Sequence, residues 1–208
     1  MKLKVKNGIK FEVKRVKRSL AKLDWYLIQG YEVKLPKGIT RDVSLSIIKE
    51  KIEKEYNEQD YKQITEKILF DFSIIEKQFS EKLRMIFNVK IPAIFVVYLT
   101  KYGVGGSYDL PNIIIFNINN KRGIKTIVHE IVHIIIEPWV QKYEIQNQEK
   151  ERIVDLILSS DKFCFLKYDI AQTDYDHSEK YIDELFNKCF FENPEKFFLA
   201  IKNVRITN

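Results

Sequence analysis

The sequence predicts an α+β fold, with a small mixed sheet, one helix buried beside it and a largely helical C-terminal part. Two short apolar runs, at residues 94–99 and 113–118, are typical of buried strands. Between residues 127 and 136 every residue is Ile or Val except two His and one Glu, which indicates a helix that is apolar on all sides and therefore buried. Most other long segments carry apolar residues at helical spacing.

Residues 1–58 are predicted to form an N-terminal extension. Two runs of alternating residues, 2–6 and 9–13, flank Asn7-Gly8, a dipeptide that supplies the two positive φ angles of a type I′ turn and so predicts a β-hairpin. Apolar periodicity and turn residues predict three further elements, a helix at 16–29, a short strand at 31–35 and a helix at 40–56.

Residues 59–208 are predicted to form the main domain. It begins with a long amphipathic helix over 60–87, followed by the two strands with a glycine loop at Gly103, Gly105 and Gly106 between them. We expect Pro138 to end the buried helix. Three more helices are predicted: one at 145–160, one that starts at a capping box of Asp176 and Glu179 and runs to about 190, and one that begins at Asn193-Pro194.

The composition is that of a folded protein rather than a disordered or membrane-spanning one. The chain has 208 residues, of which 45% are hydrophobic and 31% charged. Cys164 and Cys189 are its only cysteines, which is too few for a disulfide framework and favours a reducing compartment. The apolar runs are too short to span a bilayer, and the N-terminus has no apolar signal region. We therefore expect a cytoplasmic protein without a membrane partner.

The first 22 residues hold most of the positive charge. They contain nine Lys or Arg and a single acid, Glu12, whereas the net charge of the whole chain is +6. Such a segment can bind a nucleic acid or an acidic partner. The alternation of Lys2, Lys4 and Lys6 favours another interpretation, in which the hairpin simply exposes one charged face to solvent.

The motif His129-Glu130-x-x-His133 lies inside the buried helix and is the main indication of function. Burying two imidazoles and a carboxylate without partners costs several kcal/mol, on the order of 2–7 for each neutral polar group. Residues i and i+4 lie on one helical face, about 6 Å apart along the axis, so both imidazoles can bind one zinc ion. Glu130 can then reach a water activated by that metal. The motif therefore predicts a zinc site.

Two histidines leave the metal short of a protein ligand, and the candidates are the carboxylates of Glu137, Glu144, Glu149, Glu151 and Asp155. Glu137 lies one turn farther along the same helix, too far to share the ion easily. Glu144 and Glu149 have no second acid four residues on. Glu151 does, because Asp155 follows it at i+4 on an otherwise apolar helix. We expect Glu151 to bind zinc and Asp155 to accept a hydrogen bond from the other nitrogen of a ligating His.

With these residues the chain resembles the gluzincin zinc metallopeptidases, whose active-site helix carries His-Glu-x-x-His and whose next helix carries Glu-x-x-x-Asp. The resemblance covers about residues 90–160 and implies a zincin-like fold. It also implies a strand at the edge of the sheet, just before the active-site helix, that pairs with extended substrate, and residues 113–118 occupy that place. Gluzincins often stabilise the oxyanion with a downstream Tyr or His. The candidates here are His177, which we prefer, and Tyr168, Tyr175 and Tyr181.

The resemblance implies a zinc-dependent peptidase that acts on a peptide or protein substrate. In that interpretation Glu130 is the general base, and zinc lowers the pKa of water towards about 7. Two other classes of function are considered, a non-catalytic zinc-binding adaptor and a nucleic-acid-associated protein that binds through its basic end. An intact Glu130 disfavours the first, since a structural zinc site needs no base. The lack of an interleaved aromatic platform among the lysines weakens the second.

Overall fold

The structure contains a four-stranded mixed sheet together with many helices, which confirms the predicted α+β class. The computed structural model describes residues 1–168 and 180–207. The strands are β1 (Lys2–Lys6), β2 (Ile94–Thr100), β3 (Gly106–Asp109) and β4 (Ile113–Asn117). They are arranged in the order β1-β2-β4-β3. β1 and β4 both pair with β2 in parallel, and β3 pairs with β4 antiparallel.

Helices account for most of the remaining described residues. The α-helices are α1 (Ile9–Ala21), α2 (Leu23–Ile28), α3 (Leu45–Glu55), α4 (Glu58–Ile86), α5 (Ile124–Lys142), α6 (Asn147–Ser159), α7 (Lys180–Leu185) and α8 (Pro194–Thr207). A 3₁₀-helix covers Asp161–Leu166, and a π-helical turn, Phe186–Phe190, follows α7. The predicted helices at 60–87 and 145–160 and the last helix are confirmed within a few residues. The predicted capping box of Asp176 and Glu179 lies outside the described residues.

The predicted N-terminal β-hairpin is wrong. Only its first arm is a strand, and that strand pairs with β2 rather than with the residues that follow it. Those residues form α1, and Gly8 has φ 144° and ψ 152°, not the angles of a type I′ turn. The prediction relied on the Asn7-Gly8 turn signal and missed the helical spacing of the side chains that follow it. The buried residues of α1 recur at i, i+3, i+4 and i+7: Glu12, Arg15, Val16 and Ser19.

Three smaller expectations are also corrected. The predicted strand at 31–35 is reduced to a single bridge between Lys34 and Gly103. Part of the predicted glycine loop is strand β3, whose first residue is Gly106. Pro138 lies inside α5 and does not end it. Proline removes one backbone donor, but the residues beyond it still pack, since Trp139 stacks on Phe198 with ring centroids 5.6 Å apart.

The position of the strand that precedes α5 also differs from the expectation. β4, at Ile113–Asn117, lies between β2 and β3 and is therefore an internal strand. Its side chains are almost fully buried, as both faces of an internal strand next to helices often are. The strand at this end of the sheet is β3, which is short and only half-buried. The outer strand at this end of the sheet is therefore β3, not β4.

The chain divides into two compact units, Met1–Ser73 with Ala93–Glu130, and Ile74–Pro92 with Ile131–Asn208. In the first unit, alternate residues of β2 and β4 form a fully buried sheet face, which includes Val97, Leu99 and Ile114. The second unit has an aromatic core around Phe186 and Phe190. The predicted boundary between residues 58 and 59 stays a prediction.

Among the described residues, no helix has both the length and the apolar character needed to cross a membrane.

Candidate metal centre

Helix α5 presents three polar side chains within its apolar run. His129, Glu130 and His133 are only 9%, 6% and 2% exposed, and their neighbours from Ile127 to Ile136 are buried aliphatic residues. The helix is continuous through the motif. His129 and His133 are four residues apart and therefore lie on one helical face. The sequence dictates this local geometry, because only the three polar positions interrupt a run of Ile and Val.

Helix α6 brings a carboxylate to this pair. The Oε2 atom of Glu151 lies 3.2 Å from Nε2 of His133. One ligand atom from each of His129, His133 and Glu151 can be chosen so that all three lie within 4.8 Å of one another. Two imidazole nitrogens and one carboxylate oxygen are the protein ligands of many catalytic zinc sites. The structure therefore brings together the three predicted ligands, and their donor atoms fit a zinc ion in type and proximity.

The other candidate carboxylates have different roles. Glu137 accepts a hydrogen bond from Gln141 at 3.1 Å on the same helix. Glu144 is exposed and pairs with Lys202 at 2.7 Å. Glu149 is buried and forms the capping box of α6, where it accepts the backbone N–H of Gln146 at 2.7 Å. Of the five candidates, only Glu151 belongs to the group of close ligand atoms.

The residues that flank Glu151 attach α6 to its surroundings. Glu149 also accepts the hydroxyl of Tyr181 at 2.5 Å and faces Arg205 at 3.3 Å. Arg152 donates two hydrogen bonds to the carboxylate of Asp183, at 2.8 and 2.5 Å. These contacts hold α6 in place on both sides of Glu151. Sequence reasoning did not assign Glu149 this capping role, although Gln146 and Glu149 have the spacing of a capping box.

Asp155 is almost fully buried, one helical turn after Glu151. Its Oδ1 accepts the hydroxyl of Tyr168 at 3.0 Å. A buried carboxylate at this position can support a ligand on a neighbouring helix. Its predicted hydrogen bond to a ligating His stays a prediction.

Glu130 lies against Gly106, the first residue of the edge strand β3, which was predicted to lie in a loop. A Cβ atom built on Gly106 would stand 2.5 Å from Oε1 of Glu130 and 2.6 Å from Cγ2 of Thr126. Glycine is therefore required for this close approach. Leu110-Pro111-Asn112, a turn signal directly before the apolar run of β4, could have predicted a hairpin and so identified β3.

The predicted oxyanion-stabilising residue, His177, lies outside the described residues, as does Tyr175. The two described alternatives both hydrogen-bond to acids of α6. Tyr168 donates to Asp155, and Tyr181 donates to Glu149. Their hydroxyls therefore contribute to the position of that helix.

The arrangement combines three candidate metal ligands, His129, His133 and Glu151, with the buried carboxylate of Glu130, the residue after His129. Such a set can bind a divalent transition metal and place a proton acceptor beside it. The chain matches no protein-family profile, no curated protein and no solved structure.

Proposed function

We propose that the protein is a zinc-dependent metallopeptidase of the gluzincin type, with a zincin-like fold. One observation carries the proposal: His129 and His133 of α5 and Glu151 of α6 bring their ligand atoms within 4.8 Å of one another. His129 and His133 are buried, and burying polar groups is costly unless they gain a partner.

In this proposal His129, His133 and Glu151 hold the metal. Bound zinc supplies Lewis-acid chemistry, since it polarises a carbonyl oxygen and makes water a stronger acid near neutral pH. Glu130 takes a proton from the attacking water and returns it to the leaving amine. Its burial beside Gly106 holds the carboxylate in one place, which favours proton transfer over a short distance.

The edge strand β3 is the proposed binding site for the peptide backbone. It is the last strand in the sheet order, and its first residue contacts Glu130. An extended peptide that pairs with such an edge gains main-chain hydrogen bonds and needs no particular side chains. Since Gly106 lies against the proposed base, a substrate on β3 would pass beside it. His177 remains the proposed oxyanion-stabilising residue.

The decisive experiment measures zinc content and peptide cleavage in the same preparations. Wild-type protein should contain one zinc per chain and cleave members of a mixed peptide library. Glu130→Gln keeps the size of the side chain but removes the base, so it should retain zinc and lose about 10²–10⁴-fold in activity. Glu137→Gln, two turns farther along α5, is the control and should change neither property.

The alternative classes give different results. A non-catalytic zinc-binding protein would contain zinc in all three preparations and cleave nothing. Equal cleavage by wild type and Glu130→Gln would show that a contaminant or another mechanism is responsible, and the peptidase proposal would be abandoned.

A further inference from the structure

The short helix that follows α1 leaves large apolar side chains in contact with solvent. Of the six residues of α2, only Tyr26 is buried. Trp25, Leu27 and Ile28 are 46%, 60% and 80% exposed. Single apolar residues are common on protein surfaces, but three within four consecutive positions form an apolar surface that calls for a partner. We refer to these three side chains as the α2 patch.

The aromatic part of the α2 patch is held in place by its neighbours. The ring of Trp25 stacks on that of Tyr31, with centroids 5.9 Å apart, and meets the ring of Tyr26 edge-on at 5.3 Å. The backbone N–H of Tyr31 donates to the carbonyl oxygen of Tyr26 at 2.8 Å and so closes the turn after α2. The patch is therefore already formed in the free protein, and a partner need not order it.

The chain that precedes the α2 patch carries a large excess of positive charge. Seven of its lysines are exposed: Lys2, Lys4, Lys6, Lys10, Lys14, Lys17 and Lys22. None of the seven forms an ion pair with an acid in the described part of the chain. The acids closest in sequence to the patch, Asp24 and Glu32, are themselves paired, with Arg41 and Lys34. The excess charge therefore favours an anionic partner.

The lysines of α1 and the apolar residues of α2 follow one another at helical spacing. Exposed residues recur three or four positions apart: Lys10, Lys14, Lys17, Ala21, Trp25 and Ile28. One residue, Lys22, separates the two helices. Its N–H donates to the carbonyl oxygen of Arg18 at 3.2 Å, and its own carbonyl oxygen accepts the N–H of Tyr26 at 3.0 Å. We therefore place the lysines and the patch along one side of this helical stretch.

Positive charge next to exposed apolar side chains matches the surface of an anionic bilayer. Segments that lie at a membrane interface insert Trp and Leu side chains between the headgroups, while their lysines attract anionic lipids. A single-stranded nucleic acid would also be attracted by the lysines, but its bases bind by stacking on aromatic rings. Leu27 and Ile28, the two most exposed residues of the α2 patch, offer no such ring.

We propose that the exposed N-terminal lysines and the α2 patch bind the surface of a membrane that contains anionic lipids. The α2 patch enters the headgroup region, and the lysines contact the lipid phosphates and carboxylates. The expectation of no membrane partner rested on apolar runs too short to span a bilayer, and a surface contact needs no such run. The proposal is independent of the peptidase function, which uses other residues.

Co-sedimentation of the full chain with lipid vesicles tests the proposal. One set of vesicles contains phosphatidylcholine alone, and the other contains about one-third phosphatidylserine. We expect binding to the anionic vesicles, little binding to the neutral ones, and weaker binding at high salt, because salt screens the lysines. The tryptophan emission should also shift to shorter wavelength with anionic vesicles, and this shift should be absent from Trp25→Phe.

A pair of double variants tests the apolar contribution. Leu27→Ser/Ile28→Ser should weaken binding to the anionic vesicles by about tenfold or more, because it removes the side chains that insert. Leu69→Ser/Phe70→Ser is the matched control. It changes two apolar residues of α4 that are 42% and 67% exposed and lie far from the lysines in sequence, and it should have little effect. All four side chains are exposed, so both variants should fold like the wild type.

A second pair tests the electrostatic contribution. Lys14→Gln/Lys17→Gln should weaken binding to the anionic vesicles by about tenfold or more, because each lysine close to an anionic surface adds to the attraction. Lys62→Gln/Lys77→Gln removes the same amount of charge from exposed positions of α4, so it leaves the N-terminal surface unchanged and should have little effect.

Four results would overturn the proposal. The first is no binding of the wild type to either kind of vesicle, and the second is equal binding to both. The third is equal binding of wild type and Leu27→Ser/Ile28→Ser, or equal weakening by the two lysine variants, which would show attraction by net charge alone. The fourth is tighter binding of a single-stranded oligonucleotide than of anionic vesicles, without an emission shift on the vesicles, which would assign the lysines to a nucleic acid.

Discussion

Gly106 of the edge strand lies directly against Glu130 of helix α5. The space between them is too small for a methyl group, since a Cβ on Gly106 would come within 2.5 Å of Oε1 of Glu130. The same Cβ would meet Thr126, which is buried on α5. Because the backbone of β3 and the packed helix leave little freedom, the Glu130 carboxylate would be the group that moves.

Gly106→Ala is therefore expected to displace Glu130 and reduce peptide cleavage by about 10²-fold, the usual effect of misplacing a catalytic group by about 1 Å. Zinc content should be unchanged, because the ligands are other residues. Gly105→Ala is the matched control. Its Cβ would meet the side-chain amide of Asn120, at 2.8 Å, rather than the carboxylate of Glu130. Similar losses in both variants would show a general effect on β3.

Glu151→Ala is expected to lower zinc affinity by on the order of 100-fold or more, because it removes one of three protein ligands, and the loss of a supporting residue alone typically costs 10–100-fold. Competition with a colorimetric chelator measures this directly. Glu144→Ala, a rejected candidate on the surface, serves as the control. Zinc affinity that is the same in both variants would exclude Glu151 from the metal site.

Asp155→Asn tests whether this acid supports a metal ligand or only pairs with Tyr168. We expect a 10–100-fold loss of zinc affinity in Asp155→Asn. Tyr168→Phe removes the other partner of the same carboxylate, which accepts the hydroxyl at 3.0 Å, and should change zinc affinity much less. If both variants bind zinc as the wild type does, the role of Asp155 is confined to packing.

Glu12 is expected to make the protein more stable in mild acid than at neutral pH. The side chain is fully buried and accepts hydrogen bonds from Tyr61, Thr100 and the backbone N–H of Lys101. Burial nevertheless raises its pKa above the ordinary value of 4.5. The contribution of this group to stability is therefore complete below about pH 4.5 and is lost as the pH rises through the folded-state pKa.

Glu12→Gln should remove that part of the pH dependence and should be at least as stable as the wild type at pH 7. Urea unfolding of both proteins at several pH values, between about pH 4 and pH 7, measures the difference in their stability. Glu50→Gln is a control of opposite sign, because a hydrogen bond from Lys54 lowers the pKa of that exposed carboxylate. Parallel stability profiles for wild type and Glu12→Gln would contradict the prediction.

The candidate metal centre was largely predictable because the spacing of its two histidines is local. His129 and His133 lie on one helical face however the rest of the chain folds. Glu151 was identified on the next helix because Asp155 follows it at i+4. The convergence of the two helices could not be derived from periodicity. The resemblance to gluzincins supplied that expectation, and the contact between Glu151 and His133 agrees with it.

The errors in the fold concern contacts between distant residues. The Asn7-Gly8 signal predicts a local partner for the first strand, but β2 offers that strand a parallel partner in the sheet. β3 has only four residues, and all of their side chains are half-buried, so its sequence shows almost no alternation that would predict a strand. Arg15 looked like one more surface charge in a basic segment, and only its place in a helical stripe indicated burial.

The parallel pairing of β1 with β2 has a consequence for how the chain folds. Lys2 pairs with Ile94, so four helices are synthesised before the first strand can meet its partner. Closing such a long loop costs entropy before any contact is gained, and non-local pairing of this kind slows folding. During synthesis the N-terminal strand therefore stays unpaired until β2 has left the ribosome, and in that interval its exposed edge is open to pairing with other chains.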